Sequence, residues 1–307
     1  MTGKASSRDV AAEITALIIA KLEAGTPPWR RPWRTGGGGR PLRQCGTPYT
    51  GINALYLWAI GDARGYASRH WMTFRQAAEL GGHVRRGETG SLSVFFSQLR
   101  RTETDRRTGE EVERSIRFLR AYTVFSADQI DGLPERFYPA PASVEPPSPS
   151  RRQAAIDEFF SGMPAIVRHG GDRAYCDPHL DFIQLPHPHA FRTADHYASV
   201  RAHETVHWTG HPSRLDRRFG KRFGDKAYAF EELVAEIGAG LVCADLDLPC
   251  ELHNDHASYV HHWLGILRAD TSAIIHAAAK AEEALNLLRS FQPAESDTTG
   301  ADLAEAA

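Results

Sequence analysis

The sequence has few cysteines, no long hydrophobic run and almost no net charge, and each shortage excludes a class of protein. Four cysteines in 307 residues, with no Cys-x-x-Cys pair, do not make a disulfide framework, and we interpret them as reduced thiols without an assigned role. The longest apolar runs, such as ALIIA and SVFF, are too short to span a bilayer. The opening letters MTGKASSRDV contain no apolar export signal. We therefore expect a cytoplasmic protein without a membrane partner.

The net charge of −2 conceals two parts of opposite sign. Residues 1–138 carry 21 lysines and arginines against 14 acidic residues, whereas residues 139–307 carry 15 against 24. Thirteen of the 15 histidines also lie in the second part. A basic part joined to an acidic, histidine-rich part indicates two domains with different partners.

A proline-rich segment marks the expected junction between these domains. The letters PAPASVEPPSPS (139–150) include five prolines in 12 residues, which predicts a stiff, extended linker. We therefore expect one domain over residues 1–138 and a second over residues 151–290. The small, polar and acidic tail, residues 291–307, is expected to be disordered.

Hydrophobic periodicity predicts an α+β protein: a mixed α/β first domain and a mostly helical second domain with a small sheet. Thr73-x-x-Gln76 is a capping-box pattern that predicts the start of a short helix. Strands are predicted in SLSVFF, in SIRFLRAYTVF and within 173–186. The other predicted helices are 8–24, one starting at 51, 151–161, 193–209, 226–244 and a helical region over 256–288.

The segment VRAHETVHWTGH (200–211) contains the pattern His203-Glu204-x-x-His207. On a helix, His203 and His207 lie one turn apart on nearly the same face, so both imidazoles can reach one ion. Glu204 is rotated off that line, which suits a general base acting on water beside the metal. Gly210 and Pro212 favour a helix that ends just after the motif.

A metal ion on two histidines needs a third protein ligand, and AFEELVAEIGAGLVCA offers two carboxylates. Glu232 and Glu236 lie one helical turn apart on a face shared with Ala235 and Ala239. Such small-residue company predicts a helix packed on all sides. We predict that Glu232 is the ligand and that Glu236 holds a ligating histidine. Exchanged roles for the two glutamates and a solvated face carrying both are the alternatives.

This ligand set favours Zn²⁺, and Mn²⁺, Fe²⁺ or Co²⁺ also fit it. With Glu204 as general base it has the parts of a metallopeptidase. The extended segment ending in DFIQLP is expected to offer a sheet edge that aligns a peptide. His211 and Tyr228 are candidates for stabilising an oxyanion. Six further histidines without partners at ligand spacing are interpreted as surface or core residues: His187, His189, His253, His256, His261 and His262.

The first part interleaves aromatic and basic residues, as in TPPWRRPWR and GTPYTGINALYLW. Proteins that bind single-stranded nucleic acid combine cationic groups for phosphates with flat rings on which bases stack. The alternative is that these rings belong to the core and that the arginines form a solvated face. The candidate DNA contacts are Arg31, Trp33, Arg34, Tyr49, Asn53, Trp71, Arg85 and Arg86.

Four blocks together resemble the ArdC-type antirestriction proteins of conjugative plasmids: GTPYTGINALYLW, SRHWMTFRQAAELGGHVRRGE, HETVHWTGHPSRLDR and YAFEELVAEIGA. They occur in the expected order, and the resemblance extends from about residue 8 to about residue 288. It implies a single-stranded DNA-binding N-terminal domain and a zincin-like metallopeptidase domain. It also implies the metal ligands His203, His207 and Glu232, with Glu204 as general base.

The sequence therefore predicts a protein that binds single-stranded DNA, carries a zincin-like site and protects incoming plasmid DNA from host restriction. Its enzyme activity is left open, and a host restriction protein is one possible target of cleavage. One alternative is a cytosolic zinc metallopeptidase whose basic domain binds a protein substrate. The other is a DNA-binding protein whose metal ion is purely structural.

Overall fold

The computed structural model describes residues 7–29, 39–104, 111–138, 149–218, 226–248, 250 and 256–292. The helices in these residues are α1 (Ser7–Glu23), α2 (Gly51–Arg64), α3 (Phe74–Glu79), α4 (Pro149–Ser161), α5 (Ala194–Thr209), α6 (Lys226–Asp245), α7 (His256–Ala269) and α8 (Ala273–Ser290). The strands are β1 (Leu42–Arg43), β2 (His70–Met72), β3 (His83–Val84), β4 (Ser91–Thr104), β5 (Glu111–Ser126), β6 (Ile130–Asp131), β7 (Ile166–His169), β8 (Tyr175–Asp177) and β9 (Phe182–Leu185).

These strands form two sheets and one short pair. The first sheet has the order β1-β2-β5-β4, with β1 parallel to β2 and the other neighbours antiparallel. Its strands β4 and β5 form a long hairpin, while β3 pairs with β6 nearby. The second sheet has the order β7-β9-β8, in which β8 runs antiparallel to β9. The chain is an α+β protein with a mostly helical second half, as predicted.

Local sequence signals correctly place the helices of the first half. The capping box at α3 forms, because the Thr73 hydroxyl accepts from the Gln76 amide at 3.3 Å and the Gln76 side chain accepts from the Thr73 amide at 2.9 Å. Helix α2 spans Gly51–Arg64 and is capped by Gly65, whose φ of 67° lies in the left-handed region that glycine adopts without strain.

One expectation for the second half is confirmed and one needs correction. The predicted helical region 256–288 consists of the two helices α7 and α8, and the Asp270 carboxylate, which accepts hydrogen bonds from the amide and hydroxyl of Ser272, turns the chain between them. The strand in DFIQLP is β9, which lies at the centre of its sheet with both edges paired. Within the described residues, the edge strands of this sheet are β7 and β8, and β8 packs against α5.

One hydrophobic core contains side chains from both halves of the chain. Trp29, just after α1, packs edge-on against Trp263 of α7, with ring centroids 6.1 Å apart. Gly240 of α6 makes this approach possible, since a Cβ there would lie 2.7 Å from the Trp29 carbonyl oxygen. A smaller cluster packs beneath α3 and includes Met72, Ile130 and Phe137. The two halves are therefore joined by packing as well as by the chain.

Some expectations fall outside the described residues. These are the linker 139–150, apart from Pro149 and Ser150, which begin α4, and the tail, apart from residues 291–292. Among the described helices, none combines the length and hydropathy needed to cross a membrane.

Candidate metal centre

Helix α5 carries the motif through the interior of the second half. Thr193 caps its first turn, accepting a hydrogen bond from the His196 amide at 3.0 Å, and Gly210 follows its last residue. Thirteen of its 16 residues are buried, so the helix exposes almost no face to solvent. The motif side chains therefore lie in the protein interior, against α6 and the second sheet.

Helix α6 lies close enough to α5 for its carboxylates to reach the motif. Gly238 of α6 faces Val206 of α5, and a Cβ at this glycine would lie 2.8 Å from the valine methyl carbons. Glu232, Ala235, Glu236 and Ala239 are all buried. This confirms the prediction that α6 is packed on all sides and contradicts the solvated-face alternative.

The two motif histidines and Glu232 converge on one point. The Nε2 atoms of His203 and His207 lie 3.1 Å apart. The Glu232 oxygens lie 3.5 Å from each: Oε2 from His203 and Oε1 from His207. One ligand atom from each residue lies within 4.8 Å of the other two, and all three side chains are buried. This is a compact N₂O donor set, of the kind that binds Zn²⁺ and related divalent ions.

The outer nitrogen of each histidine faces a carboxylate. His203 Nδ1 lies 3.1 Å from Glu236 Oε1, although its orientation does not meet hydrogen-bond geometry. His207 Nδ1 lies 3.2 Å from Oε1 of Glu231, a residue that the sequence analysis did not select. Carboxylates at this position fix the ring orientation and the tautomer of a ligating histidine.

Glu231 is held in turn by the buried side chain of Arg217. Its guanidinium donates to both Glu231 oxygens, with Nη2 to Oε1 at 2.8 Å and Nε to Oε2 at 3.0 Å. The same group donates to the Thr209 hydroxyl and to the Val206 carbonyl oxygen at the end of α5. The available signal in the sequence was the run PSRLDR after the motif, but nothing in its spacing identifies Glu231 as the partner.

The carboxylates strongly favour positive charge at the two histidines. Burial by itself would lower the pKa of His207, but the charges and hydrogen bonds of Glu232 and Glu231 outweigh it and raise this pKa to about 9. Burial likewise opposes charge on His203, and Glu232, Glu236 and Glu204 raise its pKa well above the usual value. Burial would raise the pKa of Glu232, but the two histidines lower it.

These electrostatics fit a bound cation. Four buried carboxylates surround the histidines, and among these side chains Arg217 is the permanent positive charge that balances them. With neutral imidazoles, the cluster is strongly anionic, which is costly in a buried environment. A divalent ion on the two Nε2 atoms and the Glu232 carboxylate would neutralise much of that charge. The donor chemistry and the charge of the site thus agree with a metal centre.

The remaining candidates occupy different positions. Glu204 is buried, at 5% exposure. Burial and the negative charge of Glu204 together raise the pKa of the Cys176 thiol, on β8, to about 12. Tyr228 lies beside Glu232, and burial together with the carboxylate charge raises the pKa of its hydroxyl. His211 Nδ1 instead contacts the Ser213 hydroxyl at 2.7 Å. Tyr228 is thus the oxyanion candidate that lies at the cluster.

The candidate DNA contacts of the first half are dispersed. Tyr49 and Trp71 are buried, at 5% and 2% exposure, so their rings are not available for stacking in this structure. The Asn53 amide holds β4 by donating to the Val94 carbonyl oxygen and accepting from the Val94 amide, both at 2.7 Å. Arg86 is exposed, whereas Arg85 forms ion pairs with two acidic residues, Glu88 and Asp131. Three further candidates, Arg31, Trp33 and Arg34, lie outside the described residues.

Two family models match the chain in tandem. Residues 8–125 match the N-terminal domain of anti-restriction factor ArdC, and residues 154–280 match a zincin-like metallopeptidase. An uncharacterized protein of Sinorhizobium fredii (strain NBRC 101917 / NGR234), y4eC, is 38% identical over 290 residues, which is 92% of each chain. The DNA primase TraC of Escherichia coli is 38% identical over 302 residues, covering 91% of this chain but 27% of the primase.

Solved structures extend the match to three dimensions. The metal-free crystal structure of antirestriction protein ArdC from plasmid R388 has a TM-score of 0.77 and 44% identity, covering 92% of this chain and 97% of that chain. The Mn(II)-bound structure of the same protein gives 0.74 and 42% with the same coverage. The likeness therefore includes both halves of the chain and extends to a relative solved with a divalent metal ion.

Proposed function

The chain belongs to the ArdC family of antirestriction proteins, and from this premise we propose that it is a cytoplasmic protein that binds single-stranded DNA. In this role it protects plasmid DNA entering a cell from host restriction. We further propose that its second half is a metal-dependent peptidase centre whose target is a host restriction protein.

The observation that carries the peptidase proposal is the buried convergence of His203, His207 and Glu232, with Glu204 next to the first histidine on α5. A structural metal ion needs no general base beside it, so the position of Glu204 favours a catalytic site. When bound, a divalent ion supplies a Lewis acid that polarises an amide carbonyl and lowers the pKa of a water molecule. The donor set favours Zn²⁺, and the Mn(II)-bound relative supports a site open to other divalent ions.

The chain's own residues have distinct tasks in this reaction. His203, His207 and Glu232 hold the ion, while Glu236 and Glu231 orient the two imidazoles. Glu204 takes the proton from the attacking water and returns it to the leaving amine. Strand β8 packs against α5, the helix that carries Glu204, and its edge, which is unpaired within the described residues, offers a peptide the backbone hydrogen bonds of an added strand.

Three observations support DNA as the partner of the first half. The basic charge of residues 1–138 favours a polyanion. Residues 8–125 match the ArdC N-terminal domain, and the relative TraC is a DNA primase. Binding that weakens steeply with salt and prefers unstructured single strands over duplex is the expected behaviour.

Glu204→Gln in the full-length protein tests the catalytic role. We expect this variant to retain its metal, measured by elemental analysis, and to bind a single-stranded oligonucleotide as the wild type does. Protection of a transferred plasmid against restriction should be lost, because the variant lacks the general base. Glu79→Gln, on the exposed face of α3, is the matched control and should behave as the wild type.

Each rival function predicts a different result. If Glu204→Gln protects normally, peptide cleavage is not the means of protection and the metal is structural. If the wild-type protein binds single- and double-stranded DNA equally weakly at low salt, the DNA proposal is contradicted. The first half would then be a surface that recognises a protein substrate.

A further inference from the structure

Among the described side chains of the first half, three large aromatic ones are markedly exposed: Phe74 at 62%, Phe95 at 53% and Tyr122 at 47%. Phe74 belongs to the short helix α3, whereas Phe95 and Tyr122 lie on the two strands of the β4–β5 hairpin. A single exposed ring is common on a protein surface, whereas several rings on one surface form an apolar patch of the kind that marks an interaction site.

The hairpin register places Phe95 and Tyr122 on the same face. Phe95 is paired with Arg120, and Ser93 is paired with Tyr122, so all four side chains project from one side of the strands. Same-face neighbours along a strand are about 7 Å apart, and diagonal partners on adjacent strands lie at a similar distance. Two exposed rings and an exposed guanidinium therefore form one continuous surface.

A second cation lies next to this surface. The hydroxyl of the buried Tyr49 side chain lies near Ser93, which is on the same face of the hairpin as Tyr122. The exposed Arg43 guanidinium lies over the Tyr49 ring, 5.1 Å from its centroid. Tyr49 thus supports Arg43 from below instead of offering its own ring to a ligand. We define the hairpin patch as Arg43, Phe95, Arg120 and Tyr122.

The base of the hairpin is rigidly held. Asn53 of α2 makes two hydrogen bonds to the backbone of Val94, the residue before Phe95. Val94, which precedes Phe95 on β4, and Val124, two residues after Tyr122 on β5, are both buried in the main core. Helix α2 and the main core therefore fix the backbone that carries the hairpin patch, so the patch is preorganised for a ligand.

Flat rings flanked by guanidiniums match the chemistry of an unpaired polynucleotide, which offers base faces and phosphates in alternation. In duplex DNA the base faces are covered by stacking, so the rings would have no partner. We propose that single-stranded DNA binds at the hairpin patch, with bases stacked on Phe95 and Tyr122 and phosphates contacted by Arg43 and Arg120. This inference rests on the proposed DNA binding and assigns the site for it.

Fluorescence anisotropy with a labelled oligothymidylate and the full-length protein tests the assignment. Phe95→Ala and Tyr122→Ala should each weaken binding by roughly tenfold, because each removes one stacking partner. Arg120→Gln should weaken binding and lower the slope of log K against log salt by about one phosphate contact. All three side chains are solvent-exposed, so circular dichroism should show an unchanged fold.

Phe74→Ala is the matched control, since it removes an equally exposed ring on α3 and should leave affinity unchanged. Wild-type affinity in the Phe95, Tyr122 and Arg120 variants would overturn the patch while leaving the DNA-binding proposal intact. If the wild type itself does not bind the oligonucleotide, the proposed function fails first. Equal loss of binding to oligothymidylate and to polyglutamate would show a general anion surface and also overturn the assignment.

Discussion

Arg40, which precedes β1, forms a buried ion pair with Glu282 of α8, and the two atoms involved lie 2.8 Å apart. The other oxygen of Glu282 accepts a hydrogen bond from the Gly51 amide at the start of α2. Arg40 also donates to Asp245 at the end of α6. A single network of charges therefore crosses between the part of the chain that matches the ArdC N-terminal domain and the part that matches the zincin-like domain.

Arg40→Ala should lower the free energy of unfolding by about 3–5 kcal/mol, because it leaves the buried Glu282 carboxylate without a counter-charge. Urea denaturation followed by circular dichroism measures this change. Arg75→Ala, which breaks an exposed pair on α3, should cost less than about 0.5 kcal/mol. Equal effects of the two substitutions would show that the Arg40 network does not stabilise the protein.

Glu231→Gln should weaken metal binding by about 10- to 100-fold, since the carboxylate that orients His207 becomes a neutral amide. Arg217→Lys should weaken it in the same direction, because a lysine cannot make the paired contacts to Glu231. Calorimetric titration of the metal-free protein with Mn²⁺ measures both affinities.

Arg214→Lys is the control for this pair. Arg214 lies on the same loop as Arg217 but donates to Asp181 and packs over the Trp208 ring. Its substitution should leave the metal affinity within about twofold of wild type. A comparable loss of affinity in all three variants would indicate a general loosening of the loop and not a role for Glu231 at His207.

Metal removal should destabilise the folded protein. At a free ion concentration of about 100 times Kd, binding to the native state adds about 2.7 kcal/mol, so chelation should lower Tm by several degrees. Differential scanning fluorimetry with and without EDTA measures the shift. In His203→Ala the shift should vanish, because one of the three proposed ligands is gone. An undiminished shift in that variant would locate the ion elsewhere.

The Asp181–Arg214 pair should contribute a small pH-dependent term to stability. Hydrogen bonding from Arg214 lowers the pKa of Asp181 from its usual value. A carboxyl with a depressed folded pKa stabilises the protein above its unfolded pKa of about 4, and this contribution is lost as pH falls through the folded pKa.

Asp181→Asn isolates that contribution. Asp181 has a φ of 51°, which asparagine also tolerates, so the substitution adds no backbone strain. The variant should be less stable than wild type by about 1 kcal/mol or less at pH 7, since the aspartate is partly exposed. The difference should shrink below about pH 4. A gap that stays constant from pH 7 to pH 3 would show that charge is not its origin.

Features set by neighbouring residues were predictable from the sequence. The helical spacing of His203 and His207, the capping box at Thr73 and the small-residue face around Glu232 and Glu236 are all local patterns. The structure places the helices where these patterns indicate and brings His203, His207 and Glu232 together. Periodicity predicts which face of a helix is buried, and here that was enough to predict that the three metal-binding side chains lie close together.

Features set by long-range pairing were not predictable. Tyr49 and Trp71 are aromatic residues of the type that stacks on bases, but both are buried. Their burial depends on which helices and strands pack over them, which the local sequence does not specify. The contact between Arg217 and Glu231 spans 14 residues, and that between Arg40 and Glu282 spans 242. No residue pattern in one sequence identifies such partners, because charged residues far apart in the chain carry no register with each other.

The side-chain amide of Asn53 also affects whether strand β4 can pair with a strand of a second molecule. Strand β4 lies at the edge of its sheet and carries the exposed ring of Phe95, a combination that invites sheet extension between molecules. Asn53 occupies both the amide and the carbonyl of Val94, the groups that an incoming strand would pair with. Next to the exposed ring of Phe95, Asn53 thus takes the place that a strand from a second molecule would occupy at Val94.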